Sequence, residues 1–302
     1  MFPVKNPKFQ EFYAPAIETK APWRLIVGLV ILAVVYMLVS FLLGLASILA
    51  VGNEAIASIA QSIKGGSAPK DVILLLSTFS IALLGLVLAV KFMHKRGLKS
   101  LLGPRMAEVI RNFKIAFIIV FFLTLLSTPI FAFIDLPVRN LELFTWLKWM
   151  VLGVPFILLQ VTTEELVFRG YIQQQLAARF NSRLIWYVLP SVLFGLLHYD
   201  PETMGSNVWL VVLSAMMFGL IAADVTARTG NLGAAIGLHF ANNLYAIAIV
   251  STDGSLSGLG LYKTAYSVAD EAAMRSVMIF GLVFIVLLYA AYLYWCRNKP
   301  EL

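Results

Sequence analysis

The sequence predicts an all-α protein, a polytopic transmembrane helical bundle of about eight spans. Three observations predict it. Of 302 residues, 60% are hydrophobic and only 13% are charged, where a soluble domain carries about a quarter charged residues. The apolar residues come in stretches of about 20, the length a helix needs to cross the hydrocarbon core. No stretch between them is long enough for a soluble domain.

The spans are expected near 25–50, 72–93, 115–134, 147–166, 184–200, 208–226, 232–250 and 275–296. Residues 1–24 read as a cytoplasmic N-terminal segment, without the short apolar core and cleavage site of a signal peptide. Residues 25–296 form a single transmembrane domain with its chemical core at about 147–250, and 297–302 a cytoplasmic tail. With both termini inside, 17 of the 23 Lys and Arg residues fall on the cytoplasmic side and 6 outside, the bias expected of a cell-membrane protein with an even number of spans. The net charge of +7 therefore reflects topology, and no nucleic-acid partner is expected. The loops 51–71 and 251–273 would lie outside, and the basic loop 94–114 inside beside anionic lipid, with His94 solvated among cations. The single cysteine, Cys296, excludes an internal disulfide and reads as an inert thiol. No internal repeat is evident, which argues against an inverted-repeat transporter.

Ionisable groups at membrane depth are costly, so each one marks a functional hypothesis. The fourth span runs into Glu164-Glu165-Leu166-Val167-Phe168-Arg169. Neighbours on a helix point about 100° apart, so the two acids serve different tasks. Glu165 and Arg169 are four apart and can pair. Glu164 is left to face a cavity, where a poorly solvated carboxylate is a better proton acceptor for water. Phe194 and His198 share a face in the fifth span; alone, His198 reads as a histidine bonded to a backbone carbonyl. His239 and Asn243 share a face in the seventh, which suggests an interhelical bond or a site. Asp224 and Arg228 should pair structurally, Met216-Met217-Phe218 should pack, and Pro155 and Pro190 should kink their helices.

Together, Glu164, His198, His239 and Asn243 can surround one water molecule in an intramembrane catalytic cavity. Glu164 would take its proton, His198 would orient it, and His239 with Asn243 would donate to a developing oxyanion. That is the outline of a hydrolase acting on an amide or ester within the bilayer. Equal span lengths raise one difficulty: His198 then lies at the outer end of its helix, roughly 20 Å from the inner ends at 1.5 Å per residue.

The order EExxxR, FxxxH, HxxxN, with Thr229-Gly230-Asn231-Leu232-Gly233 before the third motif, resembles the CPBP family of intramembrane proteases, which includes the CAAX prenyl endopeptidases and relatives linked to bacteriocin immunity. The resemblance covers about residues 155–250. It implies an endopeptidase acting on membrane-bound or lipidated protein substrates, some of them prenylated, with Glu164 activating water, both histidines assisting, Asn243 helping bind the oxyanion, and Glu165, Arg169 and Phe194 supporting. No cofactor is favoured. Zinc held by Glu164, His198 and His239 is the alternative, though HExxH is absent. A non-enzymatic scaffold or immunity-type protein, or a proton-coupled transporter using Glu164, stays open.

Overall fold

The computed structural model describes residues 6–52, 65–132 and 135–297. Helix α1 (Pro7–Ile17) starts where the Asn6 side chain accepts a bond from the Phe9 amide at 2.7 Å, with proline at its first position. Phe9, Phe12, Tyr13 and Ala16 recur at helical spacing and are all buried. The expected N-terminal segment therefore carries part of the core.

Six further helices are long and apolar enough to cross a membrane: α2 (Pro22–Ala50), α3 (Pro69–His94), α4 (Met106–Pro129), α5 (Leu143–Ala177), α7 (Pro201–Thr229) and α9 (Glu271–Arg297). Two apolar helices are shorter, α6 (Leu184–Leu196) and α8 (Gly233–Ile249). Helical rise makes them about 20 and 26 Å long, less than the hydrocarbon core, whereas α5 reaches about 52 Å. Eight spans were expected; six of the described helices are long enough to cross, and the fifth and seventh expected spans are short helices instead. Residues 53–64 of the first outer loop, 133–134 at the end of the third expected span, and 298–302 of the tail lie outside the described residues.

The loop 251–273, expected outside, is not irregular. Strand β3 (Tyr262–Ser267) pairs in parallel with β2 (Val250–Asp253) and antiparallel with β1 (Val138–Arg139). The run Tyr-Lys-Thr-Ala-Tyr-Ser carries aromatic and β-branched residues suited to a strand; the Gly- and Ser-rich start of the loop hid it.

Two devices seat α8 at the centre. In the turn before it, Gly230 adopts a left-handed φ of +67°, where an added Cβ would collide with the Lys8 carbonyl. Asn231 closes this turn: its amide donates to the Thr229 carbonyl at 3.0 Å and its oxygen accepts from the Gly233 amide at 3.0 Å. Then Gly233 and Gly237 lie against the backbone carbonyls of Val109 and Phe113 on α4, leaving no space for a side chain. This is the GxxxG pattern by which membrane helices approach backbone to backbone.

Candidate active site

Helix α5 continues past Glu165 as a π-helical stretch, Leu166–Gln173, before returning to α geometry. Such widened turns cluster at functional sites. Glu165 is completely buried and pairs with Arg169 at 3.1 Å, as the four-residue spacing predicts. The same carboxylate oxygen lies 2.8 Å from His239 Nδ1. A carboxylate only accepts, so Nδ1 carries the proton and Nε2 is the nitrogen left for chemistry. Nε2 lies 3.5 Å from Glu164 Oε2. Glu164 retains 17% side-chain exposure, and its Oε2 has no hydrogen-bond partner within the protein. Two adjacent acids thus take opposite faces of one imidazole. Glu165 fixes the ring, and Glu164 faces its reactive edge.

Asn243 sits one turn beyond His239, and its amide donates to Gln160 Oε1 at 3.0 Å. Gln160 is one turn before Glu164, so the Gln160/Glu164 stripe of α5 faces the His239/Asn243 stripe of α8. Asn242 is exposed and donates to the Asn243 oxygen at 3.1 Å.

Arg169 is 1% exposed, and its guanidinium lies 4.6 Å above the Phe194 ring, with Phe168 and Phe218 at 5.8 and 5.9 Å. Aromatic faces add to the stability of a cation that has left water. Phe218 also packs 4.5 Å from the His239 ring. The predicted packing of this cluster therefore extends into the wall of the site.

His198 Nδ1 donates to the Phe194 carbonyl at 2.8 Å, which leaves Nε2 as its basic nitrogen. Its ring is 4.9 Å from that of Phe194. The described contacts bring Glu164, His239 and Asn243 together through α5 and α8; His198 reaches them only through Phe194, whose ring is 6.1 Å from that of His239. The depth difficulty disappears because α6 is short and packs antiparallel to the second half of α5. Residues 184–188 lie against 174–177, and Phe194 lies against Phe168 at 5.0 Å. One turn onward in α6 and one turn back in α5 place His198 and Glu164 at the same level.

As a zinc set, Glu164, His198 and His239 do not fit. Glu164 and His239 approach each other, but no group of three His, Cys, Asp or Glu among the described residues is arranged to hold a metal ion.

Sequence reasoning missed three further features. Gln160 is a buried amide in an apolar run and was a visible signal. The Glu165–His239 bond was not visible, because it joins residues 74 apart. His94, expected in solvent, is 1% exposed and bonded to Tyr171 Oη at 2.8 Å, since Thr19 of the α1–α2 link and the end of α5 close over it. The Asp224–Arg228 pair forms as expected and also accepts the Tyr289 hydroxyl.

These observations define a class: a multi-pass helical membrane protein whose buried centre is a carboxylate–histidine pair backed by a second carboxylate and an arginine. Residues 115–245, which contain all three motifs, match the family described as type II CAAX prenyl endopeptidase Rce1-like. The chain is also 27% identical over 187 residues to the uncharacterized protein YyaK of Bacillus subtilis (strain 168), across 60% of this chain and 61% of the relative. The match spans less than two thirds of that relative's length. No solved structure matches the chain. Over residues 115–245 the chain is similar to a family of membrane endopeptidases.

Proposed function

We propose that this protein is an intramembrane endopeptidase in which Glu164 activates water. The observation that carries the reading is the placement of Glu164 Oε2 3.5 Å from His239 Nε2 while Glu165 holds Nδ1. Glu164 accepts a proton from water, and the resulting hydroxide attacks the peptide carbonyl. The proton taken by Glu164 is shared with His239 Nε2, 3.5 Å away, so that the ring donates to the oxyanion, and the second N–H of the Asn243 amide does the same. Glu164 then returns its proton to the leaving amine. His198 orients the water through Nε2. Glu165 is a positioning residue that acts through His239, in the way a carboxylate orients the imidazole of a catalytic triad.

The substrate class is a membrane-associated protein, with prenylated C-termini one candidate drawn from the family description. The protein lies in the cell membrane with both termini cytoplasmic, and residues 25–296 act as one domain.

The test is Glu164→Gln, which preserves size and hydrogen bonding and removes the base. Membrane proteomes from cells making wild-type or variant protein are compared for cleavage products. Loss of a positioned base costs roughly 10²- to 10⁴-fold in rate, so products found with wild type should vanish with normal expression of the variant. Full biological activity of Glu164→Gln would favour a scaffold or immunity role. Proton-coupled uptake in vesicles would favour a transporter.

A further inference from the structure

Outside the candidate active site, unbalanced charge concentrates where the α1–α2 link and the ends of α3 and α5 meet. Buried His94 lies at its centre. Its Nδ1 is 3.0 Å from Thr19 Oγ1 and 3.1 Å from the Gln175 amide nitrogen. An amide N–H only donates, so Nδ1 accepts and the proton sits on Nε2, directed at Tyr171 Oη.

Three arginines surround this histidine closely enough for their charges to act on it: Arg24, Arg96 and Arg179. Arg24 donates to the Met93 carbonyl. Arg96 donates to Gln174 Oε1 at 3.0 Å. Arg179 donates to Gln175 Oε1 at 2.7 Å and to the Ala21 carbonyl at 2.9 Å. All these acceptors are neutral. None of the three arginines forms an ion pair among the described residues. Glu18, the nearest acid in sequence, is exposed. Nε and Nη2 of Arg96 and Nε of Arg179 are buried without a hydrogen-bond partner. Burial holds the Arg96 guanidinium down to about 10, and repulsion from Arg179 acts the same way.

Charges removed from water need a counter-charge, and carbonyl dipoles supply only part of one. All three side chains are half-buried, so an anion reaches them from the surface, past exposed Lys20 and Lys95. The planar guanidinium fork matches phosphate oxygens better than a lysine does. We propose that Arg24, Arg96 and Arg179 form a binding site for a phosphate group at the end of the helix that carries Glu164. A phospholipid headgroup and a soluble phosphate share this chemistry, and basic clusters beside spans attract the first.

The experiment uses the full chain. Native mass spectrometry follows retention of phosphatidylglycerol and phosphatidylcholine, and thermal unfolding is recorded in nanodiscs of each lipid and with added inorganic phosphate. The variants are Arg96→Gln and, as a neighbouring exposed cation, Lys95→Gln. Wild type should retain phosphatidylglycerol over phosphatidylcholine. Arg96→Gln should weaken that retention roughly tenfold through loss of charge-assisted bonds, and Lys95→Gln by no more than about twofold. Stabilisation by inorganic phosphate that Arg96→Gln abolishes assigns the site to a soluble phosphate; a response to phosphatidylglycerol alone assigns it to lipid. Equal losses in both variants would indicate a diffuse basic surface and overturn the site. If Arg96→Gln does not fold, wild type decides: indifference to both phosphatidylglycerol and inorganic phosphate overturns the proposal.

Discussion

In α2 and α9, 11% and 6% of the most apolar stretch is buried inside the protein; in α5 and α7 the share is 44%. The outer helices meet lipid around most of their circumference, and lipid tails are as apolar as the side chains they face. α2 is held along one side, where Gly85 of α3 lies against the Leu32 backbone, and its other sides are left to lipid. At the centre, the short helix α8 is enclosed, with backbone pressed to backbone on one side and His239 bonded to Glu165 on the other. The difference teaches that apolarity brings a helix into the membrane, while polar bonds and missing side chains fix its position there.

Three single substitutions and one double change would break or sharpen this contrast. Arg169→Met leaves Glu165 buried without its cation and should cost about 3–5 kcal/mol, measured by denaturant titration in mild detergent. The double change Glu165→Gln with Arg169→Met should recover part of that loss, because the uncompensated charge is gone. Gly237→Val forces α8 away from the Phe113 carbonyl and should cost about 1–3 kcal/mol by overpacking, read as a lowered Tm. Phe41→Leu changes a residue 66% exposed on α2 and should shift stability by no more than about 0.5 kcal/mol. A loss at Phe41 as large as that at Gly237 would mean that the outer helices are positioned as tightly as the inner ones.

Much of this was readable in the sequence, for reasons that differ by residue. Glu165 and Arg169 pair because i, i+4 spacing is a local property of a helix. The three motifs pointed to one candidate site before any geometry, since ionisable side chains stand out in an apolar run. The Gly233–Gly237 spacing was also readable and was passed over. Span length was less accessible: hydropathy reports only that a segment is apolar. α8 is apolar because protein encloses much of it, and α6 keeps Leu184, Leu189, Leu193 and Leu196 exposed, although neither is long enough to cross. His94 misled for the opposite reason. A histidine beside Lys95 and Arg96 reads as solvated, and the distant residues Thr19, Tyr171 and Gln175 are what cover it. The strand at Tyr262–Ser267 lies between two partners, and one of them, β1, is more than 100 residues earlier.

Helix α1 sets a timetable for assembly. Two of its permanent partners come late: Gln174 donates to the Phe12 carbonyl across 162 residues, and Asn6 donates to the Ala227 carbonyl across 221. At ribosomal speeds of roughly 5–20 residues per second, the first of these partners is made about 8–30 seconds after α1. During that interval Phe9, Phe12 and Tyr13 need another apolar surface, and the headgroup boundary of the bilayer offers one to an amphipathic helix. A segment translated near the start therefore docks among the last, so a ribosome stalled before residue 174 would leave α1 open to protease while α2 is already inserted.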